Sequence, residues 1–369
     1  MSAPEGSGTS DQGGTLVSVQ YLRGAAALIV MVFHIFSNRI AAPWGGAHGV
    51  ALGMWGVDIF FVLSGFIMWR TARGSASASR FLLRRAVRIF PLYWIVLTLW
   101  IAARFIVPDG LGNADVTPRT VALSFLLVPH VHAVYGAIWP ILTAGWTLQL
   151  ELFFYAAFAL VLYAAPPPWR LRVLLAVLCG LAALGLATTP EAAAARTYTS
   201  PLLLEFAAGL LLGAGVERLA ALRPAVAFAL VAAGIGAALL LCRLGTIETL
   251  RPLVLGVPAV AVVAGMLGRE ARFRLAPNRF WLGLGDASYA LYLTHPLSIA
   301  VAALLWHRLG LPETGPAALV FVPAAALLAI AGGLFCHRLV EAPLLRLIPR
   351  RRPAARARPV PAARPAVVL

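Results

Sequence analysis

Two ionisable side chains in the first apolar stretch of the sequence have the types and the spacing for proton transfer. Arg23 and His34 stand eleven positions apart in QYLRGAAALIVMVFHIF. In a helix this spacing is about 20° from three full turns, so both side chains lie on one face, about 16 Å apart. A neutral imidazole is the commonest base that takes a proton from an alcohol. The pair therefore predicts an inward stripe with His34 as a general base, whereas taken singly Arg23 could snorkel and His34 could be a core histidine.

The second apolar stretch, GVDIFFVLSGFIMW, carries a carboxylate. Asp58 stands near the middle of this stretch, where a lone carboxylate would be protonated or paired. We expect its partner to be His34 or Arg23. A carboxylate bound to an imidazole fixes the tautomer and stabilises the imidazolium, which makes Asp58 a candidate catalytic residue. A structural ion pair with Arg23 is the alternative.

Four arginines precede the third apolar stretch in RFLLRRAVRIFPLYW. Arg80, Arg84, Arg85 and Arg88 have the pattern of an amphipathic helix at the cytoplasmic surface. Arg84 and Arg88 are neighbours on one face, and guanidinium groups bind phosphate through charge-assisted, often bidentate bonds. The cluster predicts a site for a diphosphate or a 3′-phosphate. An ordinary basic anchor beside a membrane is the alternative.

Further polar residues recur at helical spacing in later stretches. GWTLQLELFFY begins with Trp146 and places Thr147, Glu151 and Tyr155 along one face. We expect Trp146, Glu151 and Tyr155 to line a cavity, where Glu151 could bind the hydroxyls of an acceptor or form a purely structural pair. We expect Glu205 in PLLLEFAAGLLLG to line the cavity or bind the acceptor as well, beside small residues that favour tight helix packing.

A last polar stripe occurs in LGDASYALYLTHPL. Ser288, Tyr292 and His295 fall near one helical face, and Pro296 could kink the helix after it. We expect these three side chains to line the same cavity. The other histidines show no metal-ligand spacing, so we interpret them as surface or interfacial groups and predict no metal site: His48, His130, His132, His307 and His337.

The elements that must position these residues are membrane helices. Of the 369 residues 61% are hydrophobic and 12% charged, and the mean hydropathy is +0.86, unlike a soluble domain. Apolar stretches of roughly 20 residues, enough to cross a bilayer, recur along the chain. They predict an all-α, polytopic transmembrane bundle with ten spans: 16–36, 50–69, 90–107, 143–165, 171–188, 201–217, 224–242, 252–268, 280–306 and 316–338. We interpret 120–139, which Pro and His residues interrupt, as a re-entrant or interfacial loop, although an eleventh span there stays open.

The distribution of charge predicts the orientation of the chain. All 30 basic residues are Arg, the formal net charge is +16, and 22 arginines fall in alternate connections on one side. By the positive-inside rule both termini are cytoplasmic in the bacterial inner membrane. Because this excess lies beside membrane spans, we expect anionic lipid rather than nucleic acid as its partner. The three cysteines fall in apolar stretches and read as buried apolar residues.

The sequence divides into one membrane domain and two tails. Residues 1–15 are rich in Gly and Ser, and 344–369 are rich in Arg, Pro and Ala. Neither composition can build a packed core. We therefore expect a disordered cytoplasmic tail at 1–15, a transmembrane domain at 16–343 and a second cytoplasmic tail at 344–369.

The motifs together resemble the acyltransferase 3 family of integral membrane acyltransferases, and in particular its exopolysaccharide-production acetyltransferase branch. Members show an Arg, ten residues and a His in the first span, which Arg23 and His34 match. The stretches GVDIFFVLSGFIM, FLLRRAVRIFPLYW, GWTLQLELFFY and LGDASYALYLTHP, and the EAP at 341–343, resemble the family's blocks in order. The resemblance covers roughly residues 18–160 and 280–343.

This resemblance implies acetyl-CoA or a related acyl-CoA as co-substrate, with no bound cofactor, and the hydroxyl of an exopolysaccharide or a lipid-linked glycan as acceptor. The phosphates of CoA would rest on Arg84, Arg85 and Arg88. The pantetheine arm would reach from Arg23 towards His34, and Arg23 or a neighbouring donor would have a catalytic role in steadying the developing oxyanion or the thiolate leaving group. A covalent acyl-His intermediate is the alternative to direct transfer. Polysaccharide biosynthesis enzymes are potential partners.

Three other functions remain open from the sequence. Relatives in the same family acylate macrolides and other small molecules. Asp58, Glu151 and His34 would also suit the proton relay of a proton-coupled glycan or solute transporter. A structural partner of a polysaccharide synthase is the third alternative.

Overall fold

The computed structural model describes residues 16–73, 77–106, 116–242, 250–273 and 275–346. Fifteen α-helices form these ranges, and the β pairing within them is one bridge, between Val131 and Ile138. The helices are α1 (Val17–Phe36), α2 (Ala42–Ala72), α3 (Ala78–Ile106), α4 (Pro118–Phe125), α5 (Gly145–Ala164), α6 (Arg170–Thr188), α7 (Ala193–Tyr198), α8 (Leu203–Ala214), α9 (Val216–Ala220), α10 (Pro224–Leu241), α11 (Val257–Phe273), α12 (Arg279–Asp286), α13 (Ser288–Arg308), α14 (Phe321–Cys336) and α15 (Ala342–Arg346).

Ten helical segments of the described ranges are long and apolar enough to cross a membrane. They are Val17–Phe36, Gly53–Ala72, Ala78–Ile106, Gly145–Ala164, Pro167–Thr188, Ala193–Ala214, Pro224–Leu241, Pro252–Phe273, Ser288–Arg308 and Ala318–Arg346. The chain is a multi-pass membrane protein, and the prediction of an all-α bundle with ten spans is confirmed. The predicted tail at 1–15 and most of the tail at 344–369 lie outside the described residues, while α15 extends the last helical segment to Arg346.

Two predicted spans differ from the helices. The predicted span 280–306 is two helices, because the chain turns at Ala287 between α12 and α13. The short α12 packs closely on α1, where a Cβ at Gly285 would meet the backbone oxygen of Gln20 at 2.4 Å. The arginine-rich segment before residue 90 is continuous with the third span as the single 29-residue helix α3.

Residues 116–144, the described part of the connection between α3 and α5, contain no helix long and apolar enough to cross a membrane. This connection contains the eight-residue α4 and a loop that folds back into the bundle. Tyr93 and Trp94 on α3 donate hydrogen bonds to the backbone oxygens of Ser124 and Phe125, both at 2.9 Å. These bonds satisfy backbone groups that lipid could not satisfy. The prediction that 120–139 is a loop rather than a span is confirmed.

Small residues let neighbouring helices approach closely. Gly65 on α2 faces Gly209 on α8, and a Cβ at Gly65 would meet the backbone oxygen of Phe206 at 2.2 Å. Close backbone contact of this kind is how helices associate within lipid. It fixes α2 against α8 beside the cavity described below.

Hydrogen bonds identify which connections share one end of the bundle. Glu270 at the end of α11 accepts bonds from the backbone N–H groups of Val17 and Ser18. Arg170 at the start of α6 donates to the backbone oxygen of Arg73, after α2, at 2.7 Å. We call this end, which holds the start of α1, the basal end, and the opposite end the distal end.

Candidate active site

A cavity of about 160 Å³ opens in the basal half of the bundle, between α1, α2, α3, α5 and α13. Its wall combines guanidinium, carboxylate and hydroxyl groups with apolar side chains. Seven of the residues predicted for the site line it: Arg23, Arg85, Arg88, Glu151, Tyr155, Ser288 and Tyr292. Apolar walls with a few convergent polar groups are typical of small-molecule sites.

Three arginines make one side of the cavity basic. Arg23 on α1 donates to Gln20 at 3.2 Å, and Gln20 is itself bonded to Asp286 at 2.6 Å, so α1 and α12 hold this guanidinium in place. Arg85 on α3 lies 5.6 Å from the ring centre of Tyr155, a cation–π contact. Arg88 lies one turn further along α3 and lines the same cavity.

Arg84 is absent from the residues that line the cavity. The sequence favoured Arg84 and Arg88 as a phosphate-binding pair because they are four positions apart. The structure instead directs Arg85 and Arg88 to the cavity, since these two share the face of α3 that packs against α5 and α13. Arg84 is half-buried on α3.

One carboxylate lines the cavity. Glu151 on α5 accepts a short hydrogen bond from the hydroxyl of Tyr155, one turn later on the same helix. Ser64 on α2 donates to the same oxygen of Glu151 at 3.2 Å. Glu151 is therefore held both by its own helix, through Tyr155, and by α2, through Ser64.

Tyr292 closes the distal side of the cavity. Its hydroxyl lies 2.9 Å from that of Thr147 and 3.2 Å from the backbone oxygen of Ala144. The ring of Phe60 packs edge-on against Tyr292 at 5.9 Å. These contacts join α2, α5 and α13 at one point.

Two histidines lie beyond Tyr292. The rings of His34 on α1 and His295 on α13 meet edge-to-face at 4.7 Å, and His295 is 5.9 Å from Tyr292. Both Nδ1 atoms lie within hydrogen-bond distance of a backbone oxygen one turn earlier, that of Val30 at 2.8 Å and that of Leu291 at 3.2 Å. A carbonyl oxygen only accepts, so each Nδ1 carries a proton, and Nε2 is the unprotonated nitrogen when the ring is neutral. Nε2 of His295 is buried without a partner among the described residues.

Asp58 is not bound to either predicted partner. It forms a buried, two-bond ion pair with Arg251, in which Nη2 is 2.9 Å from one carboxylate oxygen and Nε is 3.2 Å from the other. The expectation that Asp58 pairs with His34 or Arg23 is wrong. Asp58 pairs with Arg251 because the planar guanidinium of Arg251 donates one hydrogen bond to each of the two carboxylate oxygens. The orienting group of His34 is instead the backbone of Val30.

Trp146 and Glu205 were predicted to line the cavity, but they belong to this Asp58 cluster and are absent from the cavity lining. The guanidinium of Arg251 lies 5.5 Å from the ring centre of Trp146. Glu205 is 2% exposed and interacts electrostatically with Asp58 and Arg251. The face of α5 that holds Trp146 thus points away from the face that holds Glu151.

Sequence reasoning missed three residues of this region. In the sequence Arg251 stands at the edge of a predicted span, where arginine is common. Its partner Asp58 is 193 positions away, so the pair could not be recognised from spacing. Tyr289 lines the cavity and donates to the backbone oxygen of Ile89 at 2.8 Å. Glu341 is 2% exposed, lies 2.7 Å from His337 and contacts a small pocket shared with Arg88. Glu341 belongs to the EAP element at 341–343, which the resemblance included without giving it a role in the site.

The remaining histidines sit apart from the cavity. His307 lies 2.8 Å from Glu313 at the distal end. His130 and His132 are buried in the loop before α5, and the side chain of His48 lies outside the described part of the chain. Within the described ranges no three His, Cys, Asp or Glu residues cluster in a way that could hold a metal ion.

Comparison with known proteins identifies the family of the chain. The model of the Acyl_transf_3 family, described as an acyltransferase domain, matches residues 16–338. The chain belongs to the acyltransferase 3 family. It is therefore a membrane O-acyltransferase, and the resemblance given by the motifs is confirmed. No solved structure matches the chain significantly.

Three curated relatives extend this finding. The chain is 37% identical to the exopolysaccharide production protein ExoZ of Rhizobium meliloti (strain 1021), over 86% of this chain and 95% of the relative. It is 30% identical to the acyltransferase MdmB of Streptomyces mycarofaciens, over 93% and 95% of the two chains. Nodulation protein 10 of Rhizobium leguminosarum bv. viciae is 28% identical over 38% of this chain and 42% of its own length.

Proposed function

We propose that this acyltransferase moves an acetyl or other acyl group from acyl-CoA to a hydroxyl of an exopolysaccharide or a lipid-linked glycan. The observation that carries the proposal is the alignment of a basic cavity with a histidine pair. Arg23, Arg85 and Arg88 line the cavity, and Tyr292 separates it from His34 and His295. Arginines at one end and histidines at the other suit acyl-CoA, a donor that has phosphate groups at one end and a thioester at the other.

The proposed reaction is direct transfer. Nε2 of His34 takes the proton of the acceptor hydroxyl while the hydroxyl oxygen attacks the thioester carbonyl. The new C–O bond forms, the C–S bond breaks, and the CoA thiolate receives the proton from the imidazolium. His295, whose Nε2 has no described partner, lies beside His34 and can stabilise that imidazolium as an acceptor. Asp58 has a structural role in this scheme because Arg251 occupies both of its oxygens.

The glycan acceptor is proposed from the similarity to ExoZ, a protein named for exopolysaccharide production. The predicted orientation places the basal end, with the cavity, at the cytoplasm, where acyl-CoA is made. His34 stands near the distal end of α1. The donor would therefore enter from inside the bacterial inner membrane and the glycan would approach from the other direction.

The proposal predicts which strain loses ester groups. We expect deletion of the gene and His34→Ala to remove base-labile acetyl signals from the purified exopolysaccharide and lipid-linked glycans in proton NMR. His307→Ala is the matched control, because His307 is an exposed histidine of the distal end, and it should leave the ester content unchanged. Unchanged ester content in both the deletion and His34→Ala strains, together with altered glycan or solute export, would favour a transporter.

A further inference from the structure

The start of α13 places an unsatisfied hydroxyl on the cavity wall. Ser288 is the first residue of this 21-residue helix and lines the cavity. It is 1% exposed, and its hydroxyl has no hydrogen-bond partner among the described residues. Buried polar groups in proteins are nearly always hydrogen-bonded, so an orphan donor beside a cavity points to a ligand that supplies the acceptor.

Ser288 begins its helix, and this position indicates that the ligand carries negative charge. The first turn of a helix has N–H groups without partners inside the helix, and the aligned peptide dipoles make this end positive. The start of a long helix therefore favours an anion, most of all a phosphate group. The cavity meets α13 at this end, through Ser288, Tyr289 and Tyr292.

The charge of the cavity lining also favours an anion. The described lining carries three guanidinium groups, those of Arg23, Arg85 and Arg88, against one carboxylate, that of Glu151. Glu151 already accepts bonds from Tyr155 and Ser64. Nε of Arg85 is buried without a partner in the described ranges. Two unsatisfied donors, Ser288 and Arg85, thus line one cavity with an excess of positive charge.

A nucleophilic role for Ser288 fits the geometry less well. A serine nucleophile needs a base within hydrogen-bond reach. The histidine nearest along α13 is His295, seven positions on, which is about 10 Å along the helix, and it packs against His34. The surroundings of Ser288 are cationic, which suits binding an anion.

We infer that Ser288 and the first turn of α13 form a phosphate-binding subsite that, with Arg23, Arg85 and Arg88, holds a diphosphate group. The inference deepens the proposed function and rests on it for the identity of the ligand. A diphosphate occurs in CoA and also in a glycan carrier lipid, and the subsite recognises the chemistry that they share. Ser288 is a binding residue for this group and takes no part in proton transfer.

The test measures binding by the full-length protein purified in detergent, using inorganic pyrophosphate, CoA and a polyprenyl diphosphate as separate probes in calorimetry. We expect Ser288→Ala to weaken binding of pyrophosphate about tenfold, the size of one hydrogen bond to a charged group. Ser288→Asp should weaken it further, since it places a carboxylate against the anion. Ser298→Ala, a change of the same kind ten positions along α13, should bind like the wild type.

The outcomes separate this inference from the proposed function. Wild-type affinity for all three probes in both Ser288→Ala and Ser288→Asp would overturn the subsite. Weakened binding of CoA with an unchanged response to the lipid assigns the subsite to the donor, and the reverse assigns it to the carrier lipid. Binding of pyrophosphate that depends on Ser288, in a protein that never consumes acyl-CoA, would contradict the proposed function and leave the subsite standing. Equal melting temperatures of the variants confirm that each is folded.

Discussion

At the scale of single residues, hydrogen bonding to the backbone defines the chemistry of the histidine pair. His34 and His295 are both held by a carbonyl oxygen one turn earlier in their own helices. This arrangement needs no carboxylate to fix the tautomer, which explains how Asp58 can serve elsewhere. Helical spacing in the sequence predicts that Arg23 and His34 share a face. It cannot show that His295, 261 positions after His34, completes the pair, because that contact depends on how α1 packs on α13.

The ion pair of Asp58 and Arg251 has a testable structural role. Both side chains are buried, with 0% and 5% of their surfaces exposed. Removal of one partner leaves an unpaired buried charge, so we expect Arg251→Met to lower the free energy of unfolding by about 3–5 kcal/mol. The double variant Asp58→Leu/Arg251→Met should recover most of this loss. Unfolding in detergent, followed by tryptophan fluorescence, measures both effects, and equal losses in the single and double variants would contradict the structural assignment.

At the scale of helices, the crossing of α2 and α8 holds one wall of the cavity. A side chain at Gly65 would collide with the backbone of Phe206, which cannot move without shifting α8. We therefore expect Gly65→Ala to lower the melting temperature and to weaken the bond between Ser64 and Glu151. Gly180→Ala on α6 is the matched control, since a Cβ there meets nothing within 4 Å. Comparable melting temperatures for Gly65→Ala and Gly180→Ala would show that the crossing is looser than described.

Helix positions could be predicted largely from hydropathy, because each span is mainly apolar and carries only a few ionisable residues. Two features of the bundle could not be predicted from hydropathy. The overall hydropathy of residues 280–306 predicts one span, whereas the chain turns at Ala287 so that the short α12 packs on α1. The side of α3 that faces the cavity depends equally on its neighbours, so Arg85 lines the cavity in place of Arg84.

At the scale of the whole molecule, the distribution of arginine predicts which end faces the cytoplasm. The basal end holds the connections around Arg73, Arg170 and Arg218, and we expect it to be cytoplasmic. In a chain whose native cysteines are replaced by alanine, Glu191→Cys should react with a membrane-impermeant maleimide on intact cells. Ser79→Cys should react only after the membrane is permeabilised. The opposite pattern would invert the chain and place the cavity away from cytoplasmic acyl-CoA.

Acyl transfer itself is the most direct test of the account. The measurement is transfer of label from radioactive acetyl-CoA to lipid-linked glycan by the purified protein in lipid nanodiscs, scored as base-labile label on the glycan. We predict transfer by the wild type and by His307→Ala, and a rate about 10² to 10⁴ times lower for His34→Ala, the usual contribution of a general base. Transfer by His34→Ala at the wild-type rate would contradict the proposed chemistry, and the absence of any labelled glycan with the wild type would contradict the proposed donor and acceptor.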